Sequence, residues 1–145
     1  MIPATVDIGA PWRVLPPGLH EASLDEVESV FGGSVWRKTL CDGFRRGCDD
    51  LRLAGCRCVY LDGSFVTEKP TPGDYDACWD PAGVDLNMLH PVLKDFSDQR
   101  RRQKLKYRGE FFPSPSLADG TRTFLEFFAV EKTTGRPKGL VLVRL

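Results

Sequence analysis

The sequence predicts an α+β fold, with helices packed mainly on one face of a small mixed β-sheet. Three observations predict it. Trp36, Leu40, Phe44, Cys48 and Leu51 recur at helical spacing and mark one long amphipathic helix. Short extended runs, Cys58–Leu61 and Leu140–Leu145, stand at separate places in the chain, with helical segments between them. The length of 145 residues, with 41% hydrophobic and 28% charged, suits a single domain (1–145) with a core of its own.

Taken in order, residues 1–22 read as an irregular N-terminal arm. Pro3, Pro11 and the LPPG run at 15–18 punctuate it, and Trp12, Val14 and Leu15 are expected to pin it to the body. Ser23 starts a short helix, with Glu26 completing a capping-box pattern, Val27, Val30 and Phe31 as its apolar face and Gly32-Gly33 as its stop. Ser34 caps the long helix, Arg37 and the other charged residues fall off its apolar stripe, and Gly55 ends it. Cys58–Leu61 is the first central strand, turned at Asp62-Gly63. A second strand follows, carrying Asp74 and Asp76. Residues 84–93 are ambiguous, because Leu86, Leu89 and Leu93 have helical spacing but Pro91 interrupts them. Ser97 or Asp98 is expected to cap a helix through about Lys106 that carries the basic run and packs one face through Leu105. A third strand spans 107–112, Phe124–Val130 could be helix or strand, and Leu140–Leu145 closes the sheet.

The formal net charge is zero, so the chain as a whole is not an obvious nucleic-acid or membrane binder. Charge is nevertheless uneven, with an acidic stretch at 21–28 and a basic one at 100–108. No apolar run approaches the ~20 residues needed to span a bilayer, and the N-terminus lacks the basic and apolar regions of a signal peptide. The expected location is cytoplasmic, without membrane partners. Five cysteines, Cys41, Cys48, Cys56, Cys58 and Cys78, then read as free, mostly buried thiols. Cys56 and Cys58 are too tightly spaced for a zinc knuckle, and neither His20 nor His90 stands at ligand spacing. Phe111, Phe112, Phe124, Phe127 and Phe128 read as core rather than as a base-stacking platform.

The chemistry concentrates between Cys58 and Asp80. Asp74 and Asp76, two apart on an extended strand, point to the same face. Two parallel carboxylates call for a positive partner, and Mg²⁺ (or Mn²⁺) is the usual one, because it takes oxygen ligands from carboxylates and substrate phosphates. Gly63 allows close backbone approach, and Ser64 with the amides after Gly63 can form a nest for phosphates.

Gly63-Ser64, nine residues, then Asp74-Tyr75-Asp76-Ala77 resembles the pattern of the nucleotidyltransferase superfamily, the DNA polymerase β-like fold. Along nearly its full length the chain is also similar to a bacterial branch of that superfamily. The matching pieces are LPPG at 15–18, DGSFVTEK at 62–69, DYD at 74–76, KLKYRGEFF at 104–112 and PKGL at 137–140. The resemblance implies a Mg²⁺-dependent transfer of a nucleoside monophosphate from an NTP to a hydroxyl on RNA, protein or a small molecule. Asp74, Asp76 and a third carboxylate would be the catalytic metal ligands. Glu110, on a neighbouring strand, is the choice for the third, with Glu126 the runner-up and Glu131 behind it. Gly63, Ser64, Lys69 and Lys138 would bind the nucleotide phosphates, with Arg101 or Lys104 a further candidate cation. Asp62, where the superfamily prefers a hydrophobic residue, and Pro70 and Pro72 in the loop depart from the pattern without removing a ligand. Two other functions compete: a partner-dependent subunit, as in toxin–antitoxin pairs, and a nucleic-acid binder using the basic helix.

Overall fold

In the computed structural model, which describes residues 1–145, the sheet is five-stranded and mixed. Its strands are β1 (Gly18–Glu21), β2 (Cys58–Asp62), β3 (Tyr75–Trp79), β4 (Gly109–Pro113) and β5 (Gly139–Arg144). Their spatial order is β1-β5-β2-β3-β4. The β1–β5 and β3–β4 pairs are parallel; β2 runs antiparallel to both β3 and β5. The helices are α1 (Leu24–Phe31), α2 (Val35–Leu53), α3 (Ser97–Tyr107) and α4 (Phe124–Phe128).

Strand alternation divides the core in two. Val59, Leu61, Tyr75, Ala77, Trp79, Phe111, Val141 and Val143 face the main cluster, which α1, α2 and α3 complete through Val27, Phe44, Leu51 and Tyr107. The other face carries only Cys78, Phe128 and Leu140, flanked by Tyr60, Phe112, Phe124 and Leu125. Short α4 covers that face in part, and the charged ends of the strands open on the same side. Gly47 lets α2 lie against β4, since a Cβ there would sit 2.2 Å from the Phe111 ring.

Much of the element order agrees with the sequence. Ser23 and Ser34 cap α1 and α2, and Leu40, Phe44, Cys48 and Leu51 are buried along α2. All five cysteines are free and buried. Phe124–Phe128 resolves as helix, closed by a capping box between Thr123 and Glu126. Residues 91–94 form a 3₁₀ turn instead of a longer helix.

Five local expectations are corrected. The arm is not wholly irregular: Gly18–Glu21 adds to β5 as an edge strand, held by backbone pairing and mostly exposed. It therefore shows no apolar alternation in the sequence. Val14 and Leu15 are buried as expected, but Trp12 is 42% exposed. Glu26 does not bond back to its cap and accepts instead from the Ile2 amide at 2.8 Å. On α2 the roles of Trp36 and Arg37 are reversed. Trp36 reaches outward and donates to the Pro72 carbonyl at 2.6 Å, whereas Arg37 is buried. The reason is a cluster of inward carbonyls: the Arg37 guanidinium donates to Phe31, Phe65, Thr67 and Lys69 oxygens at 3.1, 2.7, 2.9 and 2.5 Å. Finally, α3 begins without a side-chain cap, at Phe96, and Asp98, Gln99 and Arg100 adopt left-handed φ of 50–59°. Leu105 is 65% exposed; Gln103 and Tyr107 form the packed face.

Candidate functional site

The strand registers bring three carboxylates into one row. Asp62 at the end of β2 opposes Asp76 on β3, and Asp76 in turn pairs with Glu110 at the start of β4. Side chains on adjacent strands at paired positions share a face, so the row runs across the sheet on its less covered side. Asp74 precedes β3 by one residue and joins the same end. One carboxylate oxygen from each of Asp74, Asp76 and Glu110 lies within 4.8 Å of the others.

The flanks of the row are neutralised and its centre is not. Lys138 places its ammonium 2.5 Å from Asp62 Oδ1; Asp62 is buried and Lys138 mostly so. Arg100 and Lys104 reach Glu110 at 3.2 and 3.0 Å. Asp74 and Asp76 have neither an ion pair nor a side-chain hydrogen bond. Burial, followed by the charges of Asp74, Asp62 and Glu110, pushes Asp76 from 3.8 up to about 7. Burial and Glu110 likewise raise Asp74, opposed by Lys104 and Lys69. Asp62 is raised by burial and held back by Lys138.

The Gly63-Ser64 turn is built against this row. Gly63 has φ of +89°, and a Cβ on it would meet the Asp76 amide at 3.0 Å and its Oδ2 at 3.1 Å. Only glycine combines that conformation with that approach. Ser64–Val66 then forms one 3₁₀ turn, whose leading amides have no acceptor within the turn. Thr67 Oγ1 donates to the Ser64 carbonyl at 2.6 Å, and Arg37 grips the Phe65, Thr67 and Lys69 carbonyls from behind.

A cavity of about 700 Å³ opens over the turn and the carboxylates. Of the residues singled out in the sequence, Gly63, Ser64, Lys69, Asp74, Asp76 and Lys138 line it. Lys138 does so with its ammonium committed to Asp62, so it is a counter-ion of the row and not a free phosphate ligand. Glu110 joins the trio from the α3 side. Glu126 does not: its carboxylate accepts from the Thr123 amide and hydroxyl in the α4 capping box. Glu131 lines the cavity, but its oxygens are taken by Thr133 and Thr134. Burial acts to raise it, and those hydrogen bonds outweigh burial and hold it at about 2. Arg101 is far less engaged, 3.8 Å from Asp98 on the exposed side of α3.

Four participants escaped the sequence. Asp62 is read there only as a departure from a preferred hydrophobic residue. Its place opposite Asp76 depends on a β2–β3 register that a twelve-residue connection (63–74) leaves open. Arg37 and Arg100 act across the fold, with no local signal. Phe127 is one of five phenylalanines assigned to the core, yet it is 39% exposed on the cavity wall.

The chain belongs to a family of unknown function, DUF6932, whose family model matches residues 10–144 and so spans every residue of this site. No curated protein and no solved structure matches it.

Proposed function

We propose that the chain is a nucleotidyltransferase, dependent on Mg²⁺ or Mn²⁺, that moves a nucleoside monophosphate from an NTP to a hydroxyl on RNA, protein or a small molecule. The observation that carries this is the meeting of Glu110 with Asp74 and Asp76 beside the Gly63-Ser64 turn. The donor set fits a hard divalent cation. It offers carboxylate oxygens only, without nitrogen or sulfur, and its two central members lack any other counter-charge. A cation bound there supplies charge neutralisation to the triphosphate and the departing pyrophosphate.

The chain's own residues supply position. The amides opening the Ser64–Val66 turn present donors to phosphate oxygens, as anion-binding turns do. Lys69 lies close enough to Asp74 to oppose its rise and can meet a triphosphate from the same side. Lys138 neutralises Asp62, so the site carries less repulsion than four free carboxylates would bring. The acceptor oxygen bonds to the α-phosphorus as the bond to the β-phosphate breaks and the hydroxyl proton is released. Little beyond orientation and charge compensation is needed. A cytoplasmic setting belongs to the same proposal and accords with five free thiols; no helix is long and apolar enough to cross a membrane.

Calorimetric titration with each NTP and Mg²⁺ tests it. Binding is expected for the native chain and should be lost in the Asp74→Ala, Asp76→Ala double variant. No binding, or binding indifferent to those changes, would sink the function.

One observation favours a second possibility. Arg100 and Lys104 both sit on Glu110 and compete with a cation for it. A partner chain that draws them away would make the protein a partner-dependent subunit, of the kind found in toxin–antitoxin pairs. Co-purification of a neighbouring gene product, with function surviving loss of Asp74 and Asp76, would favour that role over catalysis.

A further inference from the structure

The cavity also takes in aromatic side chains that phosphate and metal chemistry do not use. Trp12, from the arm before β1, and Phe127, from α4, both line it. They are 42% and 39% exposed, whereas Phe111 and Phe128 are buried. Large aromatic faces left open on the wall of a concave site are available for stacking.

Polar contacts fix the Phe127 ring and the backbone that carries Trp12. The Arg122 guanidinium lies 5.1 Å from the Phe127 ring centre and is itself fixed by Asp119 at 2.9 and 2.8 Å. The Trp12 segment is tied to the loop that carries Lys69. The Glu68 amide donates to the Arg13 carbonyl at 3.1 Å, the Thr5 hydroxyl donates to Glu68 at 2.5 Å, and Val6 pairs with Val14. This strap ties the backbone of the Trp12 segment to the loop that follows Gly63-Ser64. The Trp12 indole N–H donates to no group of the protein and is free for a ligand acceptor.

We infer that Trp12 and Phe127 form the nucleobase subsite of this cavity, taking the planar heterocycle of the NTP whose phosphates lie at the Gly63-Ser64 end. The inference rests on the nucleotidyltransferase proposal and adds where the base is held. The cavity volume of about 700 Å³ falls in the range of sites that enclose a ligand of this size. Aromatic stacking accepts any base, so these residues set affinity for a nucleoside as against a bare polyphosphate.

Two ligands separate base binding from phosphate binding: ATP and inorganic tripolyphosphate, each titrated with Mg²⁺ into the native chain and into Trp12→Ala, Phe127→Ala, Trp12→Phe and Phe127→Tyr. The native chain should bind ATP more tightly than tripolyphosphate. Each alanine variant should lose about tenfold in ATP affinity, the size of one lost stacking contact, with tripolyphosphate binding unchanged. The aromatic replacements should restore most of the ATP affinity, which damage to the fold would not allow. ATP affinity unaffected by the alanine changes, or equal loss for both ligands, overturns the subsite and leaves the transferase function standing. Failure of the native chain to bind either ligand overturns both.

Discussion

Asp76 stands between Asp62 and Glu110 on the adjoining strands, beside Asp74, with no cation or donor of its own. Burial and these three charges raise it from 3.8 to about 7. A carboxyl raised in the folded state holds a proton that the unfolded chain has already lost. Its contribution to stability is therefore unfavourable and grows as pH rises from about 4 to about 7, then levels off. Asparagine keeps the shape and removes the charge. In metal-free buffer at pH 8, Asp76→Asn is predicted to stabilise the fold by about 1–2 kcal/mol, well below the full value of the shift because water reaches the cavity. The gain should shrink toward zero near pH 4, and Mg²⁺–NTP binding should be lost. Calorimetric melting across that range reads the effect; a gain that does not depend on pH would mean that Asp76 carries no such cost. Trading stability for a charged site is common where function needs unpaired groups.

The elements whose identity depends on local pattern were legible in the sequence. α2 follows its apolar stripe and its Ser34 cap, β2 follows its short apolar run, and both glycine stops fall where expected. What was not legible depended on distant partners. Nothing near Arg37 signals burial; four carbonyls from α1 and the Gly63 loop decide it. Nothing at 97–100 signals left-handed backbone, which costs about 1–2 kcal/mol per residue and places Arg100 on Glu110 and over the Phe112 ring. Arg37 thus acts as the clamp between α2 and the loop that presents Gly63, Ser64 and Lys69. Arg37→Ala leaves those carbonyls without their donor and is predicted to destabilise the fold by about 2–4 kcal/mol in urea unfolding. Arg37→Lys should recover little, because an ammonium cannot reproduce the planar fork. Full recovery by lysine would show that charge alone, and not the four directed hydrogen bonds, holds the loop.

At the scale of the molecule, a chain of zero net charge gathers four carboxylates at one end of its sheet and covers that face only with short α4. The resemblance carried by Gly63-Ser64 and Asp74-Tyr75-Asp76 implied that these residues share one site. Glu110 was preferred to Glu126 and Glu131 because relatives in the resembled branch carry an acid there and a strand there could lie beside β3; the parallel β3–β4 register puts it opposite Asp76. Asp62 stayed hidden because its strand partner lies across a long loop. A fold that concentrates charge in this way should be stabilised by whatever neutralises it. A ligand at ~100 times its dissociation constant adds about 2.7 kcal/mol, or roughly 6–10 °C for a domain of this size. Mg²⁺ is therefore predicted to raise the melting temperature by about that much at pH 8. At pH 5, Asp74 and Asp76 hold their protons longer than ordinary carboxyls, and a bound cation must displace them. The shift there should be much smaller. Sodium chloride at matched ionic strength separates binding from screening, because screening acts on every exposed charge. Chelation should reverse the Mg²⁺ shift. An equal rise at both pH values, or one reproduced by sodium, would show that the carboxylate row does not hold the cation.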